Sequence, residues 1–219
     1  MTLTVDLKEK YSGLWGDIVH HPFVNEMGIG TLPQEKFRRY FLQDYVFVKD
    51  LVTMSGQAVA KAPDMESASV FNNFLVGILD PENDLFIRAF KEFGASQEEY
   101  SAVGANPTTQ AFGDFVVRTA VEGTFDNIAL VLFVTEGTYF DWGSRLLKEG
   151  ANPESPTYRE WIYLHGPEVL GELVRWLEVY INHSTSIDRD RADYLFKTTL
   201  RYEYLFWEAA YRGNDWFDS

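Results

Sequence analysis

Between Leu32 and Ala62 the large apolar side chains stand at Phe37, Tyr40, Phe41, Phe47, Val48 and Leu51, related by intervals of three, four and seven residues. Such intervals return to one face of an α-helix, so the stretch predicts a single long amphipathic helix. Thr31 followed three residues later by Gln34, with Pro33 in the first turn, has the pattern of a capped start, and Pro63 marks the end. Similar periodicity covers roughly residues 4–19, 65–79, 82–94, 108–121, 124–148, 156–182 and 187–212. Clusters such as Gly104-Ala105-Asn106-Pro107 and Gly150-Ala151-Asn152-Pro153 separate these stretches, and connectors so short lay consecutive helices antiparallel. Alternating β-branched runs joined by hairpin dipeptides are missing. The expected fold class is all-α, a multi-helix bundle. With no internal repeat and no linker-like composition in 219 residues, the expected organisation is one helical domain over residues 1–219.

Composition narrows the function classes. Hydrophobic residues make up 46% and aromatic residues 16%, enough for a large core and for rings lining a binding site, which excludes intrinsic disorder. Nineteen basic against 33 acidic residues leave a net charge of −14, a field that repels phosphate backbones and anionic lipid. Neither nucleic acid nor a membrane is an expected partner. The absence of cysteine removes disulfides, thiolate metal sites and a thiol nucleophile together. The N-terminal residues lack the basic-then-apolar pattern of a signal peptide, and the longest apolar run, Ile128 to Val134, is far short of a membrane span. The expected location is cytoplasmic, where Asn182-His183-Ser184 is a glycosylation acceptor by letters alone.

Three acids occupy positions where the helical pattern calls for apolar residues. Asp44 is four after Tyr40, three after Phe41 and three before Phe47. Glu136 has Leu132, Phe133, Tyr139 and Phe140 three and four residues away, and Glu203 stands likewise among Phe196, Leu200, Phe206 and Trp207. Buried carboxylates cost several kcal/mol unless paired or protonated, so three helices aiming acids inward point to a site. A flat, cationic or amine-bearing ligand would account for both the acids and the rings around them. The competing structural reading makes each acid a hydrogen-bond acceptor or the partner of an arginine such as Arg118 or Arg201. A metal is not expected: of His20, His21, His165 and His183, none follows a Glu by three residues. Asp17-x-x-His20 and His165-x-x-Glu168 have ligand-like spacing but fit solvated helix faces, and His20 and His21 are expected to end the first helix.

The order and spacing of several segments resemble the TenA family of thiaminase II and aminopyrimidine hydrolases. They are His21-Pro22-Phe23, the stretch from Gly28 to Phe37, Tyr40-Phe41-Leu42-Gln43-Asp44, and Tyr202 to Trp207 followed by Ala210-Tyr211-Arg212. The resemblance spans essentially the whole chain and implies a haem oxygenase-like helical bundle without a cofactor, assembled as a homotetramer or homodimer. It implies that Asp44 holds an aminopyrimidine ring, that Glu203 is the main catalytic acid/base, that Phe206 stacks on the ring, and that Tyr139 assists through its hydroxyl. Phe47 stands where tyrosine is common, and so keeps stacking without that hydroxyl. Thr135 takes the place of the nucleophilic cysteine of the better-known branch. A second branch lacks that cysteine and is associated with a glutamate, for which Glu136 is the candidate. His165 stands near a position held by a ligand-binding tyrosine.

The resulting expectation is hydrolysis of amino- or formylaminopyrimidines derived from thiamin to the hydroxymethylpyrimidine, with little thiaminase activity. Two other readings remain open at this point: a non-catalytic pyrimidine- or thiamin-binding protein, and a metal-dependent oxygenase on the same scaffold.

Overall fold

The computed structural model describes residues 2–216; Met1 and residues 217–219 lie outside the described residues. Every regular element among the described residues is an α-helix. In chain order they are α1 (Leu3–Lys10), α2 (Ser12–Val19), α3 (Pro22–Gly28), α4 (Gln34–Lys61), α5 (Met65–Leu79), α6 (Pro81–Glu92), α7 (Gln97–Ala102), α8 (Pro107–Glu122), α9 (Phe125–Lys148), α10 (Pro156–Leu164), α11 (Gly171–His183) and α12 (Arg189–Arg212). None is long and apolar enough to cross a membrane. The described residues divide into two compact units: one comprises residues 2–32 and 129–204, the other 33–128 and 205–216.

The second unit is built on α4, which packs against α5, α6 and α8. Its buried stripe, Phe37, Tyr40, Phe41, Phe47, Val48 and Leu51, is the one the periodicity predicts. Phe41 meets Phe86 of α6 at 4.8 Å between ring centroids, and Phe37 meets Phe93 at 5.5 Å. The start of α4 differs from expectation. Pro33 holds the N-cap position without a side-chain bond, while the amides of Thr31 and Leu32 donate to the Glu26 carbonyl. Thr31 thus belongs to the turn that follows α3. The end conforms, because Ala62 is extended ahead of Pro63. Asn106 caps α8 by accepting from the Thr109 amide at 2.9 Å, with Pro107 in the first turn.

Lys61, in the last turn of α4, closes the other end of α8. Its Nζ donates to the carbonyls of Ala120, Val121 and Gly123 at 2.6, 2.8 and 2.8 Å. These oxygens lack helical partners, and an ammonium there also meets the negative end of the helix dipole. Lys61→Met should therefore lower unfolding stability by about 1–2 kcal/mol, since charge-assisted bonds carry most of the closure. A denaturant midpoint equal to wild type would instead assign that closure to the apolar packing of α4 on α8.

In the first unit, the predicted helix over 4–19 is broken at Tyr11. The break lets the Tyr11 hydroxyl donate to Asp193 at 2.8 Å and stacks both Tyr11 and Trp15 on Phe196. Trp15 Nε1 in turn donates to Asp141 at 2.8 Å. The predicted helix over 156–182 is interrupted between Leu164 and Gly171, where Gly166 and Pro167 follow His165. Proline supplies no amide donor and disfavours a helical residue before it. His20 follows the end of α2, whereas His21 starts α3: its Nδ1 accepts from the Phe23 amide at 3.2 Å. At the end of α9, Gly150 takes a positive φ of 78° and the amides of Gly150 and Ala151 return to Leu147 and Leu146, a glycine-dependent helix stop.

Candidate active site

The acids predicted to point inward do so. Asp44 is 6% exposed, Glu136 8% and Glu203 2%. Of the arginines considered as structural partners, Arg118 pairs with Glu122 at 3.0 Å on the α8 surface, and Arg201 is exposed.

Asp44, Phe47 and Phe206 belong to the second unit. Asp44 accepts a hydrogen bond from the Tyr40 hydroxyl one helical turn earlier, and burial raises its pKa from 3.8 to about 7 despite that bond. Tyr40 is fully buried, stacked on Trp207 at 4.9 Å and edge-on to Phe206 at 5.9 Å. Phe47 stacks on Phe112 of α8 at 4.5 Å and lies 5.7 Å from Phe206. Position along α8 is set beside Asp44. Gln43 donates from Nε2 to the Gly104 carbonyl at 3.1 Å and accepts the Asn106 amide at Oε1 at 2.9 Å. The side chain thereby ties the loop that launches α8, and with it Phe112, to the helix bearing the acid. The unit presents a carboxyl able to gain or lose a proton near neutrality, set among aromatic rings.

Thr135, Glu136, Tyr139, His165 and Glu203 belong to the first unit. Residues 128–134 of α9 are buried on every side, which suits the all-round apolar run there. Thr135 Oγ1 lies 3.1 Å from the Leu132 carbonyl oxygen and 3.3 Å from Glu136 Oε1. Both neighbours accept, so the hydroxyl serves the helix backbone and Glu136 as a donor. Tyr139 is half-buried and its ring meets that of His165 at 4.8 Å. His165 packs further against Trp142 and Trp161, and burial lowers its pKa to about 4. A glycine makes this approach possible. A Cβ on Gly143 would lie 2.4 Å from the His165 carbonyl oxygen, so α9 runs against the backbone at His165 with no room for a side chain. Glu203 is on α12, one turn before Phe206.

The structure thus brings Phe47 to Phe206, Thr135 to Glu136 and Tyr139 to His165. Sequence reasoning passed over Tyr40, Phe112, Trp142 and Trp161, each of which fits an ordinary apolar stripe. The single available signal was Tyr40 at four residues from Asp44. Among the described residues no group of three or more His, Asp or Glu side chains is placed to hold a metal ion.

A family model described as TENA/THI-4/PQQC matches residues 8–213. The chain is 31% identical over 221 residues to an aminopyrimidine aminohydrolase of Halalkalibacterium halodurans, covering 99% of this chain and 98% of the relative. A solved TenA homologue from P. horikoshii OT3 superposes with a TM-score of 0.88 at 26% identity, covering 98% of this chain and all of the other. A domain with a haem oxygenase-like fold from Shewanella denitrificans OS217 shares the fold at 13% identity, with a TM-score of 0.70 over 95% of this chain and 92% of that domain.

Proposed function

The chain belongs to the TENA/THI-4/PQQC family, and from that premise we propose that it hydrolyses aminopyrimidines derived from thiamin, yielding the hydroxymethylpyrimidine. A C–N bond at the methylene breaks, a C–O bond from water forms, and the nitrogen leaves as ammonia or as a formamide. The observation that carries the reading is Asp44, a buried carboxyl with its pKa near 7 beside stacked rings, on a chain similar throughout its length to an aminopyrimidine aminohydrolase.

An aminopyrimidine offers an exocyclic N–H next to a ring nitrogen. A carboxyl group at Asp44 accepts from the first and shares one proton with the second, while Phe47 and Phe206 take the ring faces. Glu203 and Glu136 divide the proton transfers: one carboxylate activates water, and one acid protonates the departing nitrogen. Thr135 steadies Glu136 through its hydroxyl, and Tyr139 and His165 complete the contacts to the substituent. We also read the protein as a cytoplasmic homodimer or homotetramer. Met65, Val76 and Leu79 of α5 stand exposed in support of the oligomer, and a sedimenting species of 25.2 kDa would remove that part.

The test is turnover of the purified protein with aminomethyl- and formylaminomethyl-pyrimidine, following ammonia, formamide and hydroxymethylpyrimidine. Thiamin itself should be cleaved at least about 100-fold less efficiently. Expelling a thiazole from a quaternary nitrogen in this family draws on a thiolate, a far stronger nucleophile than the Thr135 hydroxyl. Thr135→Cys should raise thiamin cleavage. Equal efficiency on thiamin and on the aminopyrimidines in wild type would refute the inference from the missing cysteine, and binding without product would leave a non-catalytic pyrimidine-binding protein.

A further inference from the structure

The indole of Trp15, on α2, touches both of the helices that carry Glu136 and Glu203. Against α9 it follows three residues spaced by four, Phe133, Gly137 and Asp141, which share one helix face. Its ring lies 6.4 Å from that of Phe133 between centroids. A Cβ on Gly137 would stand 3.0 and 3.5 Å from Cη2 and Cζ2 of the indole, so the ring edge takes the space that a side chain there would need. One turn further on, Nε1 donates to Asp141 Oδ2 at 2.8 Å. Lys8 Nζ binds the same oxygen at 3.0 Å and lies 4.2 Å from the centre of the indole, an ion pair and a cation–π contact that both restrain the ring. Toward α12 the indole stacks on Phe196 at 5.8 Å, with 19° between the ring planes. Phe196 precedes Glu203 by seven residues, two turns along the same helix face. Trp15 is 6% exposed and Phe196 fully buried, and all of these residues belong to the first unit.

Packing of a ring on an ordinary side chain leaves slack, because the side chain can turn. At residue 137 the indole meets main chain, and Glu136 is the residue before it. A change in either partner therefore displaces α9 itself, and Glu136 travels with it. We propose that Trp15 is a positioning residue for the two acids: by bridging α9 at Gly137 and Asp141 to α12 at Phe196, it fixes where Glu136 is held relative to Glu203. The inference rests on the hydrolase reading above and on the proton transfers which that reading gives to these acids. Proton transfer needs each carboxyl within hydrogen-bond reach of its atom, and a displacement of about 1 Å can cost about a hundredfold in rate. Asp44, Phe47 and Phe206 belong to the second unit, so ring binding draws on residues outside this bridge.

A compensating pair of substitutions tests the proposal. Gly137→Ala sets a methyl against the indole edge and should lower the single-turnover rate of 5-aminomethyl-4-amino-2-methylpyrimidine hydrolysis by about tenfold or more, with the Kd of that compound within about threefold of wild type. Alanine favours a helix interior over glycine, so a frayed α9 does not explain such a loss. Trp15→Phe withdraws the indole edge and should also slow the reaction, whereas the double variant Trp15→Phe/Gly137→Ala returns a methyl to the vacated space and should be faster than either single variant. A rate unchanged in Gly137→Ala, or losses that simply multiply in the double variant, would overturn the inference. Should these variants fail to fold, Asp141 decides: Asp141→Leu removes the acceptor of Nε1 and should slow hydrolysis without weakening binding, Asp141→Asn keeps an acceptor and should recover most of the rate, and equal rates in the two would refute the bridge. Crystal structures of wild type, Gly137→Ala and the double variant give a readout independent of turnover: the Glu136 carboxyl should be displaced relative to Glu203 in the single variant and returned in the double one. Displacement and return in a protein that hydrolyses no aminopyrimidine would refute the hydrolase reading and support the bridge; hydrolysis with an undisplaced Glu136 would do the reverse.

Discussion

Asp44→Ala should reduce affinity for aminopyrimidines by about 100-fold or more, while the same position, changed to asparagine, should make the empty protein more stable above pH 7. Two charge-assisted hydrogen bonds are lost in the first case, each worth about 1.5–3 kcal/mol. The second effect comes from burial. The Asp44 carboxyl titrates near 3.8 in the unfolded chain and near 7 in the fold, so the native state holds a proton that the unfolded state has released. Its stabilising contribution is complete below about pH 4 and is lost as the pH rises to about 7, leaving a buried charge whose cost is on the order of 4 kcal/mol at most. Asparagine keeps the volume and an acceptor for Tyr40 without the charge. Denaturant titrations of Asp44→Asn should therefore match wild type near pH 4 and exceed it increasingly up to pH 7. A variant less stable than wild type at pH 8 would show that the carboxylate is compensated in the native protein and would withdraw the proton-sharing role.

Glu203→Gln should lower kcat by about 10²–10⁴ with KM little changed, since the amide preserves shape and burial but neither donates nor accepts a proton in the reaction. The loss should appear in single-turnover measurements with aminomethylpyrimidine, and thermal stability should be retained or raised. Glu136→Gln tests the division of labour. A comparable loss supports two acting acids, whereas full activity would make Glu136 a structural neighbour of Thr135 and leave Glu203 to act with Tyr139. A Glu203→Gln enzyme that turns over at the wild-type rate would end the acid/base assignment altogether.

These two sites illustrate how much chemistry a helical period exposes. An acid three and four residues from large apolar neighbours on both sides must turn inward with them, and Asp44, Glu136 and Glu203 do. Helix identity was legible for the same reason wherever the amphipathic pattern ran longer than about three turns, as in α4, α5, α8, α9 and α12. Short helices were not. Seven-residue α3 and six-residue α7 contain too few turns for a period to register, and they form because caps at His21 and Ser96 and the surrounding packing stabilise them.

The sequence by itself determined the all-helical architecture, the family and the inward acids, because local spacing sets which side chains share a face. Tertiary structure alone decided what those acids and rings meet. Tyr40 is an ordinary stripe residue until its hydroxyl reaches Asp44 and its ring stacks on Trp207, 167 positions away in sequence. Phe112 reaches Phe47 because Gln43 pins the loop before α8. The break after Leu164 lets His165 Nδ1 donate a hydrogen bond to the Trp161 carbonyl within three aromatic rings, and that bond chooses the tautomer. Proton positions and raised or lowered pKa values depend on solvent exclusion by residues remote in the chain, a property that no local spacing encodes.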